Sequence, residues 1–209
     1  MYCPAHFQQD EPAQWLGLIE QFPLATVIRH DASGLVADHV PVFHAPMAGT
    51  PGKLVGHVAR NNPLWRCPPE QELLLVFQGP SAYISPNWYA TKQEAGKVVP
   101  TWNYAVVHIH ATLKALESPP DVLAIVSKLT DLHEASQPHP WKVADAPTDY
   151  TERLLANIVG VEFLIKRVQG KWKVSQNQPA INQHGVAQGL MGLGSDAATQ
   201  MATLVKPAE

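Results

Sequence analysis

The sequence predicts an α+β domain: a small antiparallel β-barrel with helices set apart from it. Three observations lead there. Five or six short strand-like runs follow one another with turn residues between them, as successive hairpins do. The run over residues 104–116 alternates apolar and polar side chains from Val107 to Lys114. The helical stretches do not alternate with the strands, as a parallel doubly wound sheet would require.

Along the chain, residues 10–22 predict a first helix. Asp10 can cap it, Pro12 suits its first turn, and Trp15, Leu18, Ile19 and Phe22 share a face before Pro23 ends it. Residues 24–29 and 35–43 read as a hairpin about the turn residues 30–34. After a loop over 46–52, residues 53–59 form a strand that Asn61, Asn62 and Pro63 break. The continuous apolar run 72–77 predicts a strand buried on both faces. Gly79, Pro80 and Pro86 punctuate 78–87, leaving 82–85 as a short extended piece. In 104–116, Val107, Ile109, Ala111 and Leu113 face one way; His108, His110, Thr112 and Lys114 face the other. Ser118, Pro119 and Pro120 then open a helix to residue 135, with Val122, Ile125, Val126, Leu129 and Leu132 as its buried face. A shorter helix follows over 148–157. Two strands, 161–168 and 172–176, flank an expected tight turn at Gln169 and Gly170. Residues 185–205 are weakly helical. The whole of 1–209 is expected to be one domain with this helical tail.

Composition excludes several classes of function. Of 209 residues, 45% are hydrophobic and 16% charged, and the formal charge is 15 − 18 = −3. A near-balanced surface lacks the basic footprint of a nucleic-acid binder. No run of 18 apolar residues predicts a membrane span, and the start lacks the basic and apolar regions of a signal peptide. Cys3 and Cys67 fit no metal or redox pattern and read as structural thiols. The expected compartment is the cytoplasm.

Nucleotide-loop signatures are missing. Gly189, Gly192 and Gly194 have the wrong order for a dinucleotide fingerprint, follow no strand, and read as a turn in or near a tail helix. The ten histidines lack an HExxH pattern and read as structural or cofactor-contacting rather than metal-binding, and no GxSxG elbow marks a nucleophile. Four segments stand out instead. In 56–63, His57, Arg60 and Asn61 end a strand with hydrogen-bond donors of the kind that gather around a phosphate. In 83–89 and 99–104, two Trp and three Tyr lie among Ser, Thr and Asn, which suits either a flat ring with polar edges or a hydrophobic plug at a barrel end. Residues 171–177 end a strand with two lysines and a run of polar groups.

The start MYCP through Phe7, GHVARNNP at 56–63, FQGPSAYISPNWY at 77–89, VPTWNY at 99–104 and KVSQN at 173–177 occur together in this order. In this the chain resembles the PaiB-type "FMN-binding negative transcriptional regulator" family, from Met1 to Leu204. Asn87 stands where the family more often has Ser, Val174 where Leu is usual, and Ile181-Asn182-Gln183 replaces a more charged tail.

The resemblance implies a split barrel of the pyridoxamine-phosphate-oxidase type, a homodimer, and FMN at the subunit interface. On matching positions it implies that His57, Ala59, Arg60 and Asn61 hold the phosphate end. Thr101, Trp102 and Asn103 would lie near the ring or ribityl chain, and Gln176 and Asn177 would reach the flavin. His39 and Pro41 are weaker candidates. The family name implies transcriptional regulation, yet no basic recognition helix is present, so regulation through bound flavin is expected rather than direct DNA reading. The alternative is an FMN-dependent oxidoreductase acting on a small molecule.

Overall fold

The computed structural model describes residues 1–205, without the side chains of Glu94 and Ala95. Seven strands and their helices follow in the order β1 (Gln8–Gln9), α1 (Pro12–Gln21), β2 (Leu24–Asp31), β3 (Gly34–Ala45), β4 (Lys53–Ala59), β5 (Leu73–Ile84), α2 (Lys92–Ala95), β6 (Thr101–Leu116), α3 (Pro119–Glu134), α4 (Thr148–Leu155), β7 (Ile158–Lys173), α5 (Ala180–Met191) and α6 (Asp196–Leu204). Short 3-10 turns at Pro63–Arg66, Pro86–Trp88 and Val143–Asp145 punctuate them. The sheet order is β1-β7-β4-β3-β2-β5-β6, and β6 pairs with β7 as well. The order therefore closes on itself, as in a barrel. Two compact units emerge, one of Met1–Leu18, Gln78–Val107 and Gln169–Glu209, the other of Ile19–Phe77 and His108–Val168.

In the second unit, β2 and β3 form the expected hairpin, with Asp31 opposite Gly34. β3 pairs with β4, and β4 runs antiparallel to β7 from Lys53↔Leu164 to Ala59↔Ile158. Inward side chains build a β-branched and aromatic core that includes Val27, Leu54, Leu75, Ile109, Val161 and Phe163, each under 2% exposed. α3 starts at Ser118, whose hydroxyl accepts from the Asp121 amide. It buries Val122, Ile125 and Leu129, the last two against Val55. Val126 is only half-buried and Leu132 is 47% exposed, so two of the five expected core positions face elsewhere. Leu74 and Val76 are likewise half-buried: β5 begins with one buried face, not two.

Two expected breaks are absent. β5 continues through Gly79 and Pro80 to Ile84, since a side chain at Gly79 would meet Leu18 at 2.9 Å and the bare backbone admits it. β7 likewise runs unbroken through Gln169 and Gly170. Gly170 serves not a turn but the approach of β1, whose Gln9 pairs with it. A Cβ there would lie 2.4 Å from the Gln9 carbonyl oxygen. The tail also differs from one weak helix. It is two, separated at Gly192–Ser195, with Gly194 at φ +68 and Ser195 capping α6. Gly185 and Gly189 lie inside α5, against Trp88, and not in a turn.

Candidate functional site

In the first unit a cavity of about 180 Å³ is lined by Tyr89, Thr101, Asn103, Lys173, Ser175 and Asn177, among others. The start of β6 supplies Thr101 and Asn103, the end of β7 supplies Lys173, and the chain just beyond supplies Ser175 and Asn177. Tyr89 follows the 3-10 turn at Pro86–Trp88, which Ser85 caps through its hydroxyl.

Asn103 is 1% exposed. Its Nδ2 donates to Ser175 Oγ at 2.9 Å, while its Oδ1 is buried without a partner among the described residues. A buried acceptor left unpaired costs about 1–3 kcal/mol, so the position favours a ligand that brings a donor. Ser175 adopts φ +65, the one non-glycine left-handed residue among those described. That backbone holds the buried hydroxyl against Asn103 at a cost in strain. Lys173 donates to Thr101 Oγ1, and to the Trp102 carbonyl at 2.6 Å. Burial pushes its ammonium below the ordinary 10.5, and Lys171 nearby adds to this. Burial raises the Tyr89 hydroxyl above its usual value. The cavity thus offers a free acceptor, a cationic donor and hydroxyls around one small space. That set matches a planar heterocycle edge in which ring carbonyls alternate with an N–H.

Of the expected site residues, Thr101, Asn103 and Asn177 meet here. Trp102 is 58% exposed and packs edge-on against Tyr83, ring centroids 6.2 Å apart, while its carbonyl serves Lys173. Gln176 turns back on its own chain: its Oε1 accepts from the Val174 amide at 2.8 Å and its Nε2 donates to the Trp172 carbonyl. Tyr89 belongs to the aromatic segment 83–89, while Lys173 and Ser175 were not among the expected flavin contacts. Only the two lysines of 171–177 hinted at them, since a left-handed serine leaves no mark in sequence.

The other expected segment lies in the second unit, at the end of β4. Ala59 and Asn61 are exposed. The Arg60 guanidinium donates to the Ala156 carbonyl at 2.8 Å, to Glu117 Oε2 at 2.9 Å and to the Ile158 carbonyl at 3.3 Å. A phosphate there would have to compete with a carboxylate and two carbonyls. Arg60→Ala removes those ties in any case and is expected to cost about 1 kcal/mol, discounted for the half-exposed ion pair. Thermal melts without flavin would read it as a drop of roughly 2–4 °C; an unchanged midpoint would contradict it. His39 is exposed on β3, and Pro41 lies beside His57 at an apolar cavity.

His57 has a buried Nδ1 with no partner among the described residues. Burial holds its imidazole, and that of His108, below the ordinary 6.5. The folded chain therefore takes up these protons less readily than the unfolded chain. The corresponding stability is fully present above about pH 6.5 and is lost as pH falls through the folded values. Melting temperature is expected to decline from about pH 7 to 5, less steeply in His57→Leu. A flat wild-type profile would contradict this.

Residues 1–167 match the family model described as "Putative FMN-binding domain". An uncharacterized protein of Emericella nidulans is 34% identical, over 88% of this chain and 86% of its own length. The protease synthase and sporulation protein PAI 2 of Bacillus subtilis is 27% identical, over 99% of this chain and 97% of its own. Among solved structures, an FAD and heme binding protein of Mycobacterium smegmatis superposes with a TM-score of 0.57 at 16% identity, covering 79% of this chain and 73% of that one. At that identity the likeness speaks for the fold, a split barrel.

Proposed function

The chain belongs to the FMN-binding domain family, and on that premise we propose that it is a homodimeric regulatory flavoprotein of the PaiB type. In this reading it acts through its bound flavin rather than by reading DNA with a helix. The observation that carries the flavin site is the orphaned Asn103 Oδ1, on a residue that lines one cavity with Lys173. When bound, FMN supplies hydride or single-electron chemistry. The chain's own residues bind and orient it. Asn103 accepts from a ring N–H, Lys173 donates to a ring carbonyl, and Thr101 and Asn177 close the polar edge. The cavity is below the ~300 Å³ typical of a whole small-molecule site, so it takes an edge of FMN and not all of it. The resemblance assigns the phosphate to His57, Ala59, Arg60 and Asn61, where Arg60 must be drawn from Glu117.

The regulatory part rests on the likeness to the Bacillus subtilis sporulation protein along nearly the whole chain. Neither α5 nor α6 carries a Lys or Arg, so neither is a basic recognition helix. No helix among the described residues is long and apolar enough to cross a membrane, and a cytoplasmic setting is part of the proposal, as is a single domain spanning the chain.

The test is a visible spectrum of the protein titrated with FMN, with free flavin removed by gel filtration and mass read by light scattering. One retained flavin per chain in a particle of twice the chain mass is the expected result. Loss of all flavin, or a monomer, would sink the corresponding half of the reading. An FMN-dependent oxidoreductase is the second reading, favoured by the Tyr89 hydroxyl and Lys173 ammonium facing one cavity. Turnover of a reductant by the loaded protein would select it.

A further inference from the structure

Within the second unit lies a cavity of about 350 Å³ whose chemistry is unlike that of the Asn103 pocket. The start of β7, α3, α4 and the 3-10 turn at Val143–Asp145 wall it with Val126, Val143, Leu155 and Ile158. Trp141, Tyr150 and Leu154, 47–50% exposed, also border it. No Lys, Arg, Asp or Glu is among its described lining residues. Two of the polar side chains there bond to their own helix: Thr151 Oγ1 donates to the Pro147 carbonyl at 3.2 Å, and Asn157 Nδ2 donates to the Arg153 carbonyl at 2.9 Å. His57 Nδ1 is buried without a partner among the described residues, and Trp141 and Tyr150 bring an indole N–H and a hydroxyl to the lining.

We propose that this cavity is a second ligand site, which takes an uncharged, largely apolar aromatic molecule carrying one hydroxyl or carbonyl group. The volume lies in the ~300–1,000 Å³ range of small-molecule sites, and such sites pair apolar walls with a few placed polar groups. The few polar groups at the lining, the Tyr150 hydroxyl and the Trp141 indole N–H among them, suit a ligand with one hydrogen-bonding function. The same two aromatic side chains favour a flat ring against them. A charged ligand would lose its hydration with nothing opposite to replace it. The proposal does not rest on the flavin reading.

The probe is 2-naphthol, titrated calorimetrically into the full chain, without FMN and with FMN saturating. Saturable one-to-one binding is expected in both conditions. 2-Naphthoate, the same ring with a carboxylate, is expected to bind at least about tenfold more weakly. His57→Leu should weaken 2-naphthol by on the order of tenfold through loss of one hydrogen bond. Trp141→Ala, at a half-exposed side chain that can be cut without opening the core, should weaken it further. A wild-type far-ultraviolet circular dichroism spectrum and a cooperative melt report that each variant is folded. No saturable binding by the wild type, or equal affinity in both variants, overturns the proposal. Displacement of 2-naphthol by FMN also overturns it, since the cavity would then be part of the flavin site.

Discussion

Gly185→Ala is expected to lower stability by about 2–3 kcal/mol, the upper part of the range for overpacking, and the melting temperature by roughly 5–10 °C. A Cβ at this position would lie 2.0 Å from the Trp88 carbonyl oxygen. That oxygen is main chain in a 3-10 turn closed by the Trp88 amide to Ser85 and the Tyr89 amide to Pro86. It cannot swing aside as a side chain would. Gly189→Ala meets the indole of Trp88 at 2.3 Å and should behave similarly, though a ring can shift further than a carbonyl. Gly192→Ala is the control: its nearest atom would be 3.5 Å away, at ordinary contact, and little change is expected. Melts of the three variants side by side decide the matter. If Gly185→Ala melts like the wild type, α5 does not seat on Trp88 as described.

Lys173→Met is expected to raise the FMN dissociation constant by on the order of 10–100-fold, from the loss of a charged hydrogen-bond donor worth about 1.5–3 kcal/mol. Methionine keeps the length and apolar stem of the side chain and removes only the ammonium. Its own partners, Thr101 Oγ1 and the Trp102 carbonyl, would stay in place with one donor fewer. Lys166→Met, at an exposed position on β7, should leave affinity unchanged. A pH series separates charge from shape. Because burial holds the Lys173 ammonium below 10.5, wild-type affinity should fall in the alkaline range beneath that value. The methionine variant should show no such fall. Equal affinity of wild type and Lys173→Met at neutral pH would remove the side chain from the flavin site.

Periodicity made much of the fold readable. The alternation at 107–113 is the buried and half-buried alternation of β6, and Ser118 with two prolines marks the start of α3. β4 has the bounds its turn residues set. What misled were residues whose local preference and actual use differ. Gly79 and Gly170 read as breaks, yet each leaves room for a neighbour inside a continuous strand. The site shows the same division. Thr101 and Asn103 were readable as polar groups beside aromatics, Asn177 only through the family resemblance, and the three share the cavity. Lys173 and Ser175 matter because of burial and a left-handed backbone, which depend on tertiary packing and leave no periodic trace. Gln176, expected near the flavin from the resemblance, spends its amide on the Val174 amide and the Trp172 carbonyl of its own chain.

The left-handed Ser175 has a consequence for how this site can change. Glycine would relieve the backbone but delete the hydroxyl that Asn103 addresses. Alanine would keep the strain and lose the hydroxyl too. Asparagine or aspartate tolerate the conformation better, yet each must fit a larger side chain into a buried place. Next to it, the exposed Asn177 is under none of these constraints. In a saturation library, position 175 should therefore be a bottleneck and position 177 permissive, so that new ligand preferences arise by drift along the outer lip of the cavity while its floor stays fixed.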